Sequence, residues 1–243
     1  MSVAHPVAGY RARTRQGYGE YRWVYLWHWP IRAMHWLAAG SLLVLIVTGF
    51  YIGRPYFMTA GEASSHFLMG RMRFLHFVAA AVLVGTAVIR IYWLFAGSRY
   101  ERWPALFPVS PKNIRGLFQM IRYYLMLPGA RHPHYLGHNP LQQIAYTGVY
   151  LAAALSVATG FALYAQAEPG SFFWKLSFWV AWFPGGIRGV RFAHHAVTWI
   201  FLIFIPIHVY LAMRADVIDR EGTASSILSG GRWVPANQRF EDA

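Results

Sequence analysis

Cysteine is absent from the 243 residues, and acidic side chains are scarce: nine Asp and Glu stand against 22 Lys and Arg. Without thiols there are no disulfides, no thiolate metal sites, no cysteine-bound iron–sulfur cluster and no covalently attached c-type haem. Charged residues make up only 13% of the chain, where soluble domains average about a quarter. Four long apolar runs account for the deficit: Ala33–Gly53, Phe74–Ala96, Ile144–Ala165 and Phe192–Met213. None contains an Asp or Glu, which argues against a proton pump or cation carrier, since intramembrane relays commonly use carboxylates. An apolar leader core is also missing before Trp23, so the first run reads as a retained span and not a cleaved signal.

What is present is hydrophobic and aromatic, 56% and 18% of the chain. The four runs hold 21 to 23 residues each, and a helix needs roughly 20 to cross the hydrocarbon core. Backbone groups in lipid must be paired within the segment, so each run is predicted to be helical. The expected fold is all-α: one domain over residues 1–243, an integral membrane four-helix bundle spanning at 33–53, 74–96, 144–165 and 192–213.

The net charge of +13 sorts by loop instead of forming a nucleic-acid surface. Fifteen basic residues lie before the first run, between the second and third, or after the fourth, and six lie in the other two loops. Arg90 is inside the second run. Positive-inside bias then puts both termini and the long central loop in the cytoplasm of a bacterial inner membrane.

Within the central loop, Leu117–Leu127 is too short to span and reads as an interfacial helix. Pro128-Gly129, Pro133 and Gly137-His138-Asn139-Pro140 are chain breakers. In the last outer loop, Phe172–Phe183 carries aromatics suited to headgroup depth. A short echo links the first and third runs: Thr48-Gly49-Phe50 and Thr159-Gly160-Phe161. Glycine there permits close helix packing, or leaves room for a flat macrocycle.

Histidine is the one residue type able to anchor redox chemistry here. On this topology His76 and His194 lie at the outer ends of their spans, and His35 and His208 at the inner ends. His194 and His208 are 14 residues apart, about 21 Å along a helix and only about 40° apart in azimuth. Two pairs at matched depths are what two bis-histidine b haems require, neutral imidazole being a good axial ligand. A zinc site fits poorly, because ligands at opposite faces cannot converge on one ion. His195 is the alternative to His194, although its 13-residue spacing to His208 holds one face less well. His28, His66, His132, His134 and His138 are loop or interfacial residues. No catalytic nucleophile or acid–base pair stands out.

Several strings resemble the cytochrome b subunits of membrane-bound nickel–iron uptake hydrogenases. They are Pro30-Ile31-Arg32 with His35-Trp36-Leu37, Val47-Thr48-Gly49-Phe50, Gly61-Glu62-Ala63, Met69-Gly70 and Arg73-Phe74-Leu75-His76-Phe77. Arg90-Ile91-Tyr92-Trp93, Arg99-Tyr100, Gly137-His138-Asn139-Pro140, Thr159-Gly160-Phe161-Ala162 and His208-Val209-Tyr210 continue the likeness. The chain is similar, more distantly, to the gamma subunit of respiratory formate dehydrogenase. The resemblance implies two haems b, an outer one on His76 and His194 and an inner one on His35 and His208. It implies the hydrogenase small iron–sulfur subunit as partner and, through it, the large nickel–iron subunit. Quinone would accept the electrons at the inner side, near His208 and Asn139.

Two features depart from that pattern. Arg191 stands where relatives carry a further histidine, and Leu26–Trp29 replaces an acidic, alanine-containing stretch. The rival readings are a cytochrome b serving another oxidoreductase, such as formate dehydrogenase, and a haem-free transporter. An optical spectrum separates the transporter, since reduced haem b has a sharp α band.

Overall fold

The computed structural model describes residues 10–14, 17–57, 61, 66–107, 111–129, 133–218, 220 and 222–242. Arg15, Glu62-Ala63, Arg131 and His132 lie outside them. In chain order the elements are β1 (Tyr10–Thr14), β2 (Gly17–Tyr25), α1 (Trp29–Gly53), α2 (Leu68–Ala96), α3 (Trp103–Leu106) and α4 (Pro111–Tyr124). Next come α5 (Pro140–Ala165), α6 (Phe172–Leu176), a 3-10 turn over Phe178–Trp182, α7 (Gly186–Val217), α8 (Thr223–Ser229) and β3 (Gly231–Pro235). The protein is a predominantly helical, multi-pass membrane protein, with α1, α2, α5 and α7 long and apolar enough to cross a bilayer.

Each long helix contains one of the apolar runs and extends beyond it. Hydropathy marks the part matched to hydrocarbon, whereas a helix continues until its hydrogen-bond ladder is stopped. At α5 the start is a capping box: Gln142 N–H donates to Asn139 Oδ1 (2.9 Å) and Asn139 N–H donates to Gln142 Oε1 (3.0 Å). Pro140 fills the first helical position, where its missing N–H costs nothing. α7 begins after Pro184, with Gly185 and Gly186 at φ +77° and +56°, a region glycine enters without a Cβ clash.

The helix of the central connection differs from the expected Leu117–Leu127. It starts at Pro111 and ends at Tyr124, where the chain turns through Met126 at φ +54°. Leu127 N–H bonds the Arg122 carbonyl and Met126 N–H that of Tyr123, both at 3.0 Å. That is a Schellman stop, followed by Pro128. Helical periodicity in LFQMIRYYLML continued past it because backbone caps leave little trace in hydropathy.

A small sheet was not anticipated. β1, β2 and β3 form an antiparallel sheet in that order, with Tyr21 opposite Pro235 and Tyr25 opposite Gly231. Trp23 and Trp233 face each other across β2 and β3, edge to face at 5.4 Å, a cross-strand pair that stabilises the register. Its trace in the sequence is the Tyr, Trp and Val content of Tyr21–Tyr25.

The chain packs as two compact units. One comprises residues 1–33, 90–148 and 206–243. Its core is Leu26, Trp27, Tyr100, Leu136 and Val234, with Ile31, Ile227 and Phe240 against it. Trp27 Nε1 donates to Ser226 Oγ at 3.0 Å, so the indole is buried with its polar atom satisfied. The other comprises residues 34–89 and 149–205, with Ile46, Ala152, Val197 and Phe201 at its centre. Outward-facing positions such as Leu43, Val47, Leu151 and Ile203 remain apolar, as lipid contact demands.

Candidate functional site

The second unit brings two of the span histidines face to face. His76 on α2 and His194 on α7 have ring centroids 6.4 Å apart and planes 62° apart. Each ring is held by a threonine on another helix. Thr48 Oγ1 on α1 lies 2.9 Å from His76 Nδ1, and Thr159 Oγ1 on α5 lies 2.9 Å from His194 Nδ1.

The threonines decide the tautomer. Thr48 Oγ1 donates to the Val44 carbonyl at 2.6 Å, and Thr159 Oγ1 to the Leu155 carbonyl at 2.6 Å. A hydroxyl has one proton. With that proton committed along its own helix, the oxygen can only accept from the imidazole. Nδ1 therefore carries the ring proton in both histidines, and Nε2 bears the lone pair that binds a metal.

Glycines face both rings. A Cβ added at Gly160 would crowd His194 Cε1 at 3.3 Å, whereas one at Gly49 would sit at ordinary contact distance, 3.5 Å from His76 Cε1. The Thr-Gly-Phe glycines thus meet imidazole rings, a more specific role than close helix packing.

The geometry fits a bis-imidazole haem. A metal–imidazole bond is about 2 Å and a ring nitrogen sits about 1 Å from its centroid, so two rings sharing one iron have centroids about 6 Å apart. Among the described residues no group of three or more His, Asp or Glu side chains is placed to hold a bare metal ion. A haem asks for only two, because the porphyrin supplies the remaining ligands.

His195 points elsewhere. Its ring packs on α1, where a Cβ at Gly53 would meet His195 Cε1 at 2.7 Å. Arg191, three residues before His194 on α7, is exposed. His35 lies on the part of α1 within this unit, edge to face with Trp36 at 5.0 Å. His208 belongs to the other unit, two residues after Pro206, which interrupts the α7 ladder by withholding an N–H from the Leu202 carbonyl.

Three further polar residues of the first unit have defined partners. Asn139 is buried and caps α5. His138 lies between Trp27, stacked at 4.9 Å, and Tyr146, edge to face at 4.8 Å. Burial, and then the charge of Arg90, push its imidazole down to about 3, so it is neutral at ordinary pH.

Glu101, which no motif flagged, is almost fully buried. Its carboxylate accepts from His28 N–H at 2.7 Å, Ser98 N–H at 2.8 Å, His28 Nδ1 at 3.0 Å and Trp93 Nε1 at 3.2 Å. Burial alone would push this carboxyl up. The Ser98 and His28 backbone donors, the His28 ring and the Trp93 indole outweigh it and hold the group below the usual range. Only the rarity of acids in this chain hinted at its importance.

Comparison with known proteins agrees with this chemistry. A family model described as prokaryotic cytochrome b561 matches residues 26–230. A probable Ni/Fe-hydrogenase B-type cytochrome subunit of Bradyrhizobium diazoefficiens is 40% identical over 214 residues, covering 86% of this chain and 85% of that one. Its namesake from Cupriavidus necator is 38% identical over 211 residues, covering 86% of each. A probable Ni/Fe-hydrogenase 1 B-type cytochrome subunit of Escherichia coli is 35% identical, covering 86% and 90%. With its paired span histidines, this chain belongs to the prokaryotic cytochrome b561 family.

Proposed function

We propose that the chain is the dihaem cytochrome b subunit of a nickel–iron hydrogenase. It anchors the hydrogenase through its small subunit and carries electrons from that subunit's iron–sulfur clusters to membrane quinone. The observation that supports this most directly is the His76–His194 pair, 6.4 Å apart with both Nδ1 atoms engaged by threonine. The names of the relatives support the hydrogenase partner.

In this reading His76 and His194 hold an outer haem b, and His35 and His208 an inner one. Haem bound at such a site supplies a one-electron carrier whose potential follows from its axial ligands and their hydrogen bonds. The protein holds His76 and His194 with the ring proton on Nδ1, each fixed by a threonine hydroxyl, which leaves Nε2 for the iron. Quinone is reduced at the cytoplasmic side near His208 and Asn139, in a bacterial inner membrane.

The test is spectroscopic. Purified protein should contain two haems b per chain and co-purify with nickel. His76→Ala and His194→Ala should remove the same α-band component, and His35→Ala and His208→Ala the other. Loss of one component by both His76→Ala and His35→Ala would overturn the pairing.

A further inference from the structure

The Thr-Gly-Phe triplets of α1 and α5 are alike in more than sequence. In each, threonine donates to the carbonyl four residues earlier at 2.6 Å and meets a histidine Nδ1 at 2.9 Å. Both threonines are buried, Thr48 at 3% and Thr159 at 0% exposure. In each, the glycine that follows faces Cε1 of the same histidine. The phenylalanines then anchor the helices. Phe50 packs edge to face on Trp199 of α7 at 5.6 Å, and Phe161 stacks on Phe173 of α6 at 4.9 Å and 6°. Thus α1 grips α2 through Thr48 and α7 through Phe50.

A buried threonine bonded back to its own helix is common in membrane spans, and by itself says only that a hydroxyl has been satisfied. Here the same atom set recurs on two helices and ends on the two histidines that face each other. General packing does not require both hydroxyls to meet Nδ1, or both glycines to meet Cε1.

We propose that the two triplets are a matched pair of positioning devices, one for each axial histidine of the outer haem. Thr48 and Thr159 hold the ligating tautomer and the angle between the ring planes, and lower the reduction potential. This rests on the proposed bis-histidine site. The physical basis has two parts. An acceptor on Nδ1–H makes the imidazole a stronger donor to iron, as outer-shell partners of metal-bound histidine do, and so favours the ferric state. The two hydroxyls also fix each ring's rotation about its Cβ–Cγ bond. Ring planes 62° apart would partly offset each other's π interaction with the iron d orbitals. A haem held between them would then have more closely spaced levels, and a more anisotropic low-spin EPR signal when oxidised, than one with parallel rings.

Thr48→Val and Thr159→Val keep the side-chain shape and remove the hydroxyl; Thr48→Ser and Thr159→Ser keep it. In the purified membrane complex, each variant is assayed for haem content, redox-titrated optically and frozen oxidised for EPR. Both valine variants should raise the midpoint potential of the outer haem and move its largest g value. The double variant should shift further than either single one; because both ligands act on one iron, the two effects need not sum. The serine variants should stay near wild type, and the inner haem should not move.

Wild-type potential and EPR signal in the valine variants would overturn the proposal. If the valine variants lose the outer haem, serine variants that retain it support the proposal; loss in those too would show that threonine packing matters and not the hydroxyl. The underlying site is judged separately, by whether His76→Ala and His194→Ala remove the outer haem.

Discussion

His138, partly buried, and Glu101, buried, show how single groups make this protein sensitive to acid. His138 is held near 3, against an ordinary 6.5, so an unfolded chain binds a proton there that the folded one refuses. Stability then falls as pH drops from about 6.5 toward about 3. Glu101 is held below the ordinary carboxylate value, so its contribution is complete above that value and disappears as pH falls through the folded one. Both act in the same direction, with His138 acting first. His138→Phe keeps a ring between Trp27 and Tyr146 and removes the titration. Thermal melts in detergent at pH 7 and pH 5 should show a clear fall in Tm for the wild type and a much smaller one for this variant. Equal falls would remove His138 as the cause.

At the scale of elements, helix ends are where this chain combines structure with the proposed chemistry. Asn139 begins α5 through its amide oxygen, and loss of such a cap costs about 1 kcal/mol. The cap uses the oxygen as acceptor, so donation to a quinone carbonyl would fall to the amide N–H groups. Asn139→Asp separates the two roles, because a carboxylate still accepts from Gln142 N–H but donates nothing when ionised. The variant should fold, retain both haems and let hydrogen reduce them, while quinone turnover falls at least tenfold. Unchanged turnover would move quinone binding elsewhere and leave Asn139 as a cap. Asn139→Leu is a poorer test, since it removes cap and donor together.

For the whole molecule, the distribution of charge carries a topology. Most basic residues lie in the N-terminal segment, in the 97–140 connection and after α7, and the positive-inside rule predicts from this that both termini face the cytoplasm. Alkaline phosphatase fused after Arg239 should therefore be inactive, and fused between α1 and α2, within residues 54–67, it should be active. The reverse pattern would invert the molecule and exchange the outer and inner sites. The sheet bears on the same question: pairing of β2 with β3 requires the N-terminal and C-terminal segments to share one side. An even number of spans satisfies that condition.

By itself, the sequence determined the class of the protein and the chemistry open to it. Apolar length made α1, α2, α5 and α7 membrane helices, because lipid offers no other partner for their backbone groups. The absence of cysteine left histidine as the candidate iron ligand, and residue counting led to the expectation that His76 and His194 lie at like depth. Counting could not supply the rotation of one helix against another, which packing around Ile46, Ala152, Val197 and Phe201 sets. That rotation turned His194 toward His76 and left His195 against Gly53. It also brought Thr48 and Thr159 to the two ring nitrogens from residues 28 and 35 positions away in the chain. The sheet, the buried Glu101 and the stop at Met126 were hidden for a related reason. Each depends on hydrogen bonds between particular groups, whereas hydropathy and periodicity record only which segments avoid water.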